Sequence, residues 1–445
     1  MTNWKTAVLR WQVKHGSLKM IARRNFLALL SGIATGWTDL LHHQSPVVGA
    51  ITADAQAPPT ACPCVDNFAN PPWKRLSSAS GELPVPQTSD QQTGSVAGDI
   101  DGDGRLDFAI MNRQNGNAAI WMQNTAQGWT QHIIDPGPLN IEAGGALFDV
   151  DGDGHLDLVA GGDSSSNEVW WWENPHPNYD SPWLRHTIKQ SGKTQHHDLM
   201  IGDVLGEGRP QVVFWNQGAA ALYLARIPEN PRTHRAPWDI EVIYQDDAPM
   251  EGMAMADIDD DGVLELIGGG RWYKHEEGMK FTAHVIDDDQ KFSRCAAGKL
   301  IRGSRGAQVV FCNGDGCGPL KWYEQRRDGS WVGHDLLGQD LIHGHSLRIG
   351  DIDGDGNLDI FCAEMAKWAD WTRSVDYPRS HIWVFYGDGR GNFEKVTIAK
   401  GGYGTHEAHL ADFYGSGRLD ILSKPYESGA PGVDIWINPG RKQRS

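Results

Sequence analysis

The sequence is short of three things. Only six of its 445 residues are cysteine, so no disulfide framework supports the fold. No uninterrupted apolar run approaches the ~20 residues that a membrane-spanning helix needs. Basic residues are in deficit: 40 Lys and Arg face 57 Asp and Glu, and a formal charge of −17 is the wrong sign for gripping nucleic acid or an anionic lipid surface. With 40% hydrophobic residues the chain can still bury a core. Glycine (53) and tryptophan (19) are abundant, the pairing expected of many tight turns between regularly spaced strands.

The N-terminal region reads as an address. Arg23-Arg24 precede Phe26-Leu27 and a short, glycine-broken apolar segment, FLALLSGIATG, and this stretch resembles a twin-arginine export signal. Residues 1–57 are expected to be a removed leader, with Ala55-Gln56-Ala57 as the cleavage motif; Pro58 makes cleavage after Ala55 the alternative, and Met20 is an alternative start. Residues 58–70, with Cys62 and Cys64, read as a Pro-rich linker, and the mature protein is expected in the periplasm or outside the cell. Cys312 and Cys317 are close enough in sequence to bridge across a tight turn.

From residue 99 one phrase recurs: DIDGDGRLD at 99, DVDGDGHLD at 149, DVLGEGRPQ at 203, DIDDDGVLE at 257, DIDGDGNLD at 351 and DFYGSGRLD at 412, with a worn copy at Lys299. Their starts lie 42 to 61 residues apart, a period that signals a repeat architecture. Each copy predicts a small-residue strand before the loop, an apolar strand after it and two more, the last led by an aromatic: Trp129, Trp183, Trp238, Phe281, Trp331 and Phe393. Four strands per unit make the blade of a β-propeller. The seventh copy stops after three strands, and Trp73 in PWKRLSS supplies the missing fourth from the other end. The prediction is an all-β, seven-bladed propeller over residues 71–440, closed by its N-terminal strand, with 441–445 as a tail.

In DxDGDGxxD, carboxylates at alternate positions converge on one point, and hard oxygen ligands suit calcium. Four complete sets predict four structural calcium sites: Asp99, Asp101, Asp103 and Asp107; Asp149, Asp151, Asp153 and Asp157; Asp257, Asp259, Asp261 and Glu265; Asp351, Asp353, Asp355 and Asp359. An EF-hand would need Glu at position 12, where these loops have Ile110, Ala160, Gly268 and Cys362. The copies at 203, 299 and 412 have lost part or all of the oxygen set and are expected to hold shape without a tightly bound ion. These loops resemble the calcium repeats of the FG-GAP or VCBS family, known from integrin α-subunits and many secreted bacterial proteins. The resemblance implies the propeller and its calcium ions and leaves function to the site.

Six residues before each loop stands a column: Thr93, Ala143, His197, Glu251, Ser293, His345 and His406. Propeller symmetry would gather these positions around the mouth of the central channel, so His197, Glu251, His345 and His406 are a candidate site for zinc, manganese, iron or copper. Neighbouring His196, His343 and His409 are alternative ligands or bases. Loops after the second strands add Asp163, Asn216, Arg271, Trp272, Glu364, Lys424 and Tyr426 to the same face. Asn216 and Glu364 are candidate substrate contacts there; Trp272 or Trp368 could stack on a sugar ring, and Arg271 or Lys424 could hold an anionic oxygen.

The segments HHDLMIGDV, EGMAMADID, GHSLRIGDIDGDGNLDIFCAEM and GTHEAHLADFYGSGRLDILSKPY resemble the propeller domain of aldos-2-ulose dehydratases and related bacterial proteins. That resemblance implies a metal site at the four column residues and elimination of water from an oxidised sugar. The cupin domains of that family have no counterpart in these 445 residues, so only a single-site reaction carries over. A metal-dependent carbohydrate lyase would use His409 or His196 as base and Tyr426 or Lys424 as acid or anion holder. Two alternatives stand beside it: a glycoside hydrolase, with Glu251 and Glu364 as paired carboxylates, and a non-catalytic propeller that binds a glycan or a partner protein.

Overall fold

The computed structural model describes residues 66–365, 380–401, 404–426 and 429–441. The expected leader and Trp368 lie outside the described residues. Seven four-stranded antiparallel sheets follow one another along the chain, and a single 3-10 turn, Asp288–Gln290, is the only helical element among the described residues. The innermost strands are Gly94–Gly98, Ala146–Phe148, His196–Gly202, Ala254–Ala256, Ser293–Gly298, Ser346–Gly350 and His409–Ala411, for blades 1 to 7. This is a seven-bladed β-propeller.

Second strands are almost wholly buried, as in Asp107–Met111 and Asp359–Ala363, because both faces of every blade meet a neighbour. Seven apolar clusters result among the described residues, one at each blade interface. Val96, Ala109 and Trp121 of blade 1 meet Leu158, Trp170 and Trp172 of blade 2, for example, and Cys312 and Trp322 of blade 5 meet Cys362 and Trp383 of blade 6. The buried Cys312 thiol donates to Gly344 O at 2.9 Å while Cys317 is exposed; both are free, so the bridge considered from their spacing does not form.

Closure is built as the half-blades require. Lys74–Ser77 pairs with the third strand of blade 7, Arg75 opposite Trp436 and Ser77 opposite Asp434. Asparagines at the ends of third strands tie blades across their interfaces. Asn124 Nδ2 donates to Phe413 O at 3.0 Å across the closing junction, Asn174 Nδ2 to Ile100 O at 3.0 Å, and Asn438 Nδ2 to Ile352 O at 2.7 Å. Two boundaries move outward from their sequence positions. Ala69 N and Thr397 N bond Thr397 O and Asn67 O, so the end of the expected linker is seated on the outer strand of blade 6. Arg441, expected in the tail, reaches Asp353 and lies over the Tyr386 ring at 4.1 Å.

A second repeat signal accompanies the aromatic-led fourth strands. Three residues after the aromatic, His132, His186, His284 and His334 stack on the third-strand tryptophans Trp121, Trp171, Trp272 and Trp322, with ring centroids 4.2–4.6 Å apart. These four tryptophans are therefore blade structure. Among the described residues no helix is long and apolar enough to cross a membrane.

Candidate functional site

Each inner strand joins two chemically different ends. At one end lie the acidic loops. The first Asp of each loop uses both carboxylate oxygens on its own backbone: Asp351 accepts from Asp355 N at 3.0 Å and Gly356 N at 2.9 Å. Asp203 and Asp412, in two of the incomplete copies, make the same bonds, which is how those loops keep their shape. In the worn copy, Lys299 pairs with Asp260 of the preceding loop at 2.9 Å.

Position 9 of the loop departs from the expectation of four equivalent ligands. Asp359 accepts Ile352 N at 2.9 Å and Gly387 N at 2.8 Å, Asp157 accepts Val150 N and Asn174 N, and the side chains of Gln211 in blade 3 and of Gln308 in blade 5, whose loop is one residue longer, accept the corresponding loop N–H. A role filled equally by glutamine is a backbone cap. Burial pushes Asp107, Asp157, Glu265 and Asp359 up to about 7. The groups whose oxygens come within 4.8 Å of one another are Asp99, Asp101 and Asp103; Asp149, Asp151 and Asp157; Asp257, Asp259 and Glu265; and Asp351, Asp353 and Asp355. Asp259 Oδ1 is buried without a hydrogen-bond partner, and an all-oxygen set with an unsatisfied oxygen fits calcium.

The opposite end carries the column, and every member is buried: Thr93, Ala143, His197, Glu251, Ser293, His345 and His406 are 7% exposed or less. The four ionisable members form two groups. His197 and Glu251, with Asp198, bring ligand atoms within 4.8 Å of one another. His345 and His406 stack with centroids 4.4 Å apart, and His406 stacks in turn on Tyr426 at 5.0 Å. His406 Nδ1 is 3.2 Å from Lys424 Nζ, which also donates to Gln92 O. Tyr426 OH accepts from Arg113 Nη1 at 3.1 Å, and Arg113 is itself paired with Glu142 and, at 3.5 Å, with Asp163.

Sequence reasoning missed the charged groups that hold this cluster. Asp198 Oδ2 accepts Gly252 N at 2.8 Å and its other oxygen pairs with Arg294, whose guanidinium also bonds Glu407 and stands 3.6 Å from Glu251 Oε1. Asp198, Arg294 and Glu407 occupy the position directly after the column, where Gly94, Gly144, Gly252 and Ser346 stand in the other blades, so three charged exceptions were legible. Asp198 and Glu407 take φ of 48° and 55°, the left-handed conformation that Gly144 and Gly252 adopt at the same step. Asp315, which accepts His345 Nε2 at 3.0 Å, comes from an irregular loop and gave no periodic signal.

Electrostatics follow from burial and pairing. Burial alone would lower His197, but the Asp198 and Glu251 carboxylates outweigh it and hold the imidazole up at about 10. Burial pushes Glu251 above the usual carboxylate range, and neither of its oxygens has a hydrogen-bond partner. For Lys424 burial is the largest influence and Arg294 adds to it; against the opposing Glu407 they bring the ammonium down to about 7.

Other candidates are committed elsewhere. His196 is held by Gly162 O, Lys189 Nζ and Asn216 Nδ2, and burial lowers it to about 3. His409 bonds Ser95 O through Nε2 at 2.6 Å, and burial takes it to about 3. Neither is a free base. Arg271 is paired with Asp288 at 2.7 Å, and Trp272 is buried against His284 with no open face for a sugar. Glu364 accepts Ile342 N, His381 N and His381 Nδ1, which removes it as the second carboxylate of a glycosidase pair. Asn216 is fully buried scaffolding around His196.

Comparison with known proteins agrees with the repeat reading. Residues 99–160 and 149–214 match the family model of the FG-GAP-like repeat. The solved structure of BP39L lectin from Burkholderia pseudomallei resembles the chain with a TM-score of 0.52 at 14% identity, over 80% of this chain and 97% of that one, a likeness of fold. No curated protein sequence matches the chain.

Proposed function

We propose that this seven-bladed propeller with FG-GAP-like repeats is an exported, calcium-stabilised protein that acts on carbohydrate at the mouth of its channel, as a metal-dependent lyase or dehydratase. The observation that carries the reading is Glu251: a carboxylate 1% exposed, with neither oxygen hydrogen-bonded and Arg294 no nearer than 3.6 Å, beside His197 and Asp198. An unsatisfied buried carboxylate is costly unless a ligand completes it. Imidazole nitrogen with carboxylate oxygen fits a borderline divalent ion, held by His197 and Glu251 with His345 adjacent. Such an ion supplies Lewis-acid polarisation of a sugar carbonyl or carboxylate oxygen.

The chain's own groups do the rest. Lys424 Nζ, brought near neutrality, takes up or delivers a proton beside His406, and Tyr426 OH, fixed by Arg113, orients a substrate oxygen. Calcium in the four complete loops fixes the inner strands that bear these residues. The test is ultraviolet absorbance of unsaturated product from uronic-acid and keto-sugar substrates with the metal-loaded protein. Activity that disappears in Glu251→Gln supports the reading; no product from any of these substrates overturns it.

A second reading, a glycan-binding propeller without catalysis, draws on a different observation. A cavity of about 250 Å³ lies between blades 6 and 7, lined among others by Arg75, His381, Lys400, Thr405, Asp434 and Trp436. Polar groups around an indole suit a saccharide, and the similar structure is a lectin. Glycan binding that survives Glu251→Gln and is lost in Trp436→Ala selects this reading.

A further inference from the structure

Two histidines at the channel mouth are each backed by a carboxylate, and from opposite ring nitrogens. His197 Nδ1 lies 2.8 Å from Asp198 Oδ2, and His345 Nε2 lies 3.0 Å from Asp315 Oδ1. An ionised carboxylate only accepts, so each contacted nitrogen carries the hydrogen and the other nitrogen of a neutral ring is the bare one. For His197, whose ring the neighbouring carboxylates keep protonated while no ion is bound, the nitrogen that an incoming ion would strip of its proton is Nε2. For His345 the bare atom is Nδ1, and that atom is buried with no hydrogen-bond partner.

Glu251 belongs to the same constellation. A Cβ built on Gly314 would stand 2.8 Å from Glu251 Oε1, so the loop that delivers Asp315 runs directly against the unpartnered carboxylate. The bare Nδ1 of His345 and both Glu251 oxygens are thus three buried acceptors without a hydrogen bond; the Arg294 guanidinium comes only to 3.6 Å of Oε1, and acceptors left in this way call for a closer cation. Asp198 is itself immobilised by Gly252 N and Arg294, which makes it a fixed backing group for His197.

We propose that Asp198 and Asp315 are positioning residues of a two-histidine, one-carboxylate metal centre, presenting His197 Nε2 and His345 Nδ1 to a borderline divalent ion that Glu251 ligates. The inference rests on the metal centre proposed above and deepens it. Outer carboxylates of this kind fix the tautomer and raise ligand basicity, and removing one weakens metal binding by about 10–100-fold. His406, with Nδ1 taken by Lys424, is excluded from the ligand set.

Asp315 is the informative target, since it is the more exposed of the two, with about a third of its side chain accessible, whereas Asp198 is locked in a buried ion pair. The full chain is stripped with chelator, reloaded with zinc alone while calcium is kept in excess, and titrated against a chromophoric competitor. Asp315→Asn is expected to weaken zinc binding by about 10–100-fold and to shift the visible bands of the cobalt-substituted protein, with Asp315→Glu recovering most of the affinity. Glu251→Gln is expected to abolish zinc binding. An unchanged zinc affinity in Asp315→Asn alongside loss in Glu251→Gln overturns the positioning role and leaves the centre standing. Zinc retained by Glu251→Gln, or absent from the wild type, overturns both. Near-ultraviolet circular dichroism checks the fold, and Asp315→Ser reads the same loss if Asp315→Asn does not fold.

Discussion

Replacing Asp359 by alanine separates capping from calcium binding within one loop. Its carboxylate accepts Ile352 N at 2.9 Å and Gly387 N at 2.8 Å and is 1% exposed, so truncation strands two buried N–H donors. Each costs ~1–3 kcal/mol, giving ~2–6 kcal/mol before any ion is counted. Asp353 in the same loop faces Asp355 N at 3.3 Å and Arg441 at 3.2 Å and caps no strand. Thermal unfolding is followed in excess calcium and in excess chelator. Asp359→Ala is expected to lower the midpoint by several degrees in both conditions. Asp353→Ala is expected to match the wild type in chelator and to lose part of the calcium-dependent gain. If Asp359→Ala costs nothing in chelator, position 9 is a ligand alone and the capping argument fails.

Three further outcomes follow from the same geometry. Asp107, Asp157, Glu265 and Asp359 sit near 7 in the fold, above the ordinary 3.8 or 4.5, so the stability they contribute is full below about pH 4 and is lost as pH rises through 7. Calcium-free protein should therefore melt progressively earlier from pH 4 to 7.5 and calcium should flatten the profile; a flat calcium-free profile contradicts this. Gly314→Ala puts a methyl group 2.8 Å from Glu251 Oε1 and is expected to reduce zinc affinity several-fold with the melting midpoint little changed, as read by the same competition titration. Lys424→Met keeps the side-chain length but removes the donor to His406 and Gln92; turnover of any accepted sugar should fall at least tenfold and lose its pH dependence near 7, and an unaltered pH profile removes Lys424 from the chemistry.

The fold was legible because blade, loop and closure all rest on local, repeated patterns. An Asp at the loop start folds back on N–H groups four and five residues later, as Asp99 does on Asp103 and Gly104, so the motif encodes its own turn. The aromatic-led fourth strands and Trp73 were visible for the same reason. The histidines stacked on tryptophan at a fixed three-residue offset carried an equally regular signal that sequence reasoning left unread. The column was legible as far as buried convergence: His197 joins Glu251, and His345 meets His406. The bowl was less so, because Trp272, Glu364 and Asn216 share the strand ends of that face yet pack into interfaces or bond to backbone.

What the sequence by itself determined is the repeating unit, since hydrophobic period, turn glycines and alternating carboxylates act over a few residues and need no distant partner. Only the tertiary structure decided which charged groups share the channel. Asp198, Arg294 and Glu407 lie far apart along the chain and meet because seven blades close into a ring, and Asp315 of blade 5 reaches His345 of blade 6. Burial there multiplies each interaction; His197 Nδ1 is taken by its own sequence neighbour Asp198, whereas the partner of His345 Nε2 is set by the packing of one blade against the next.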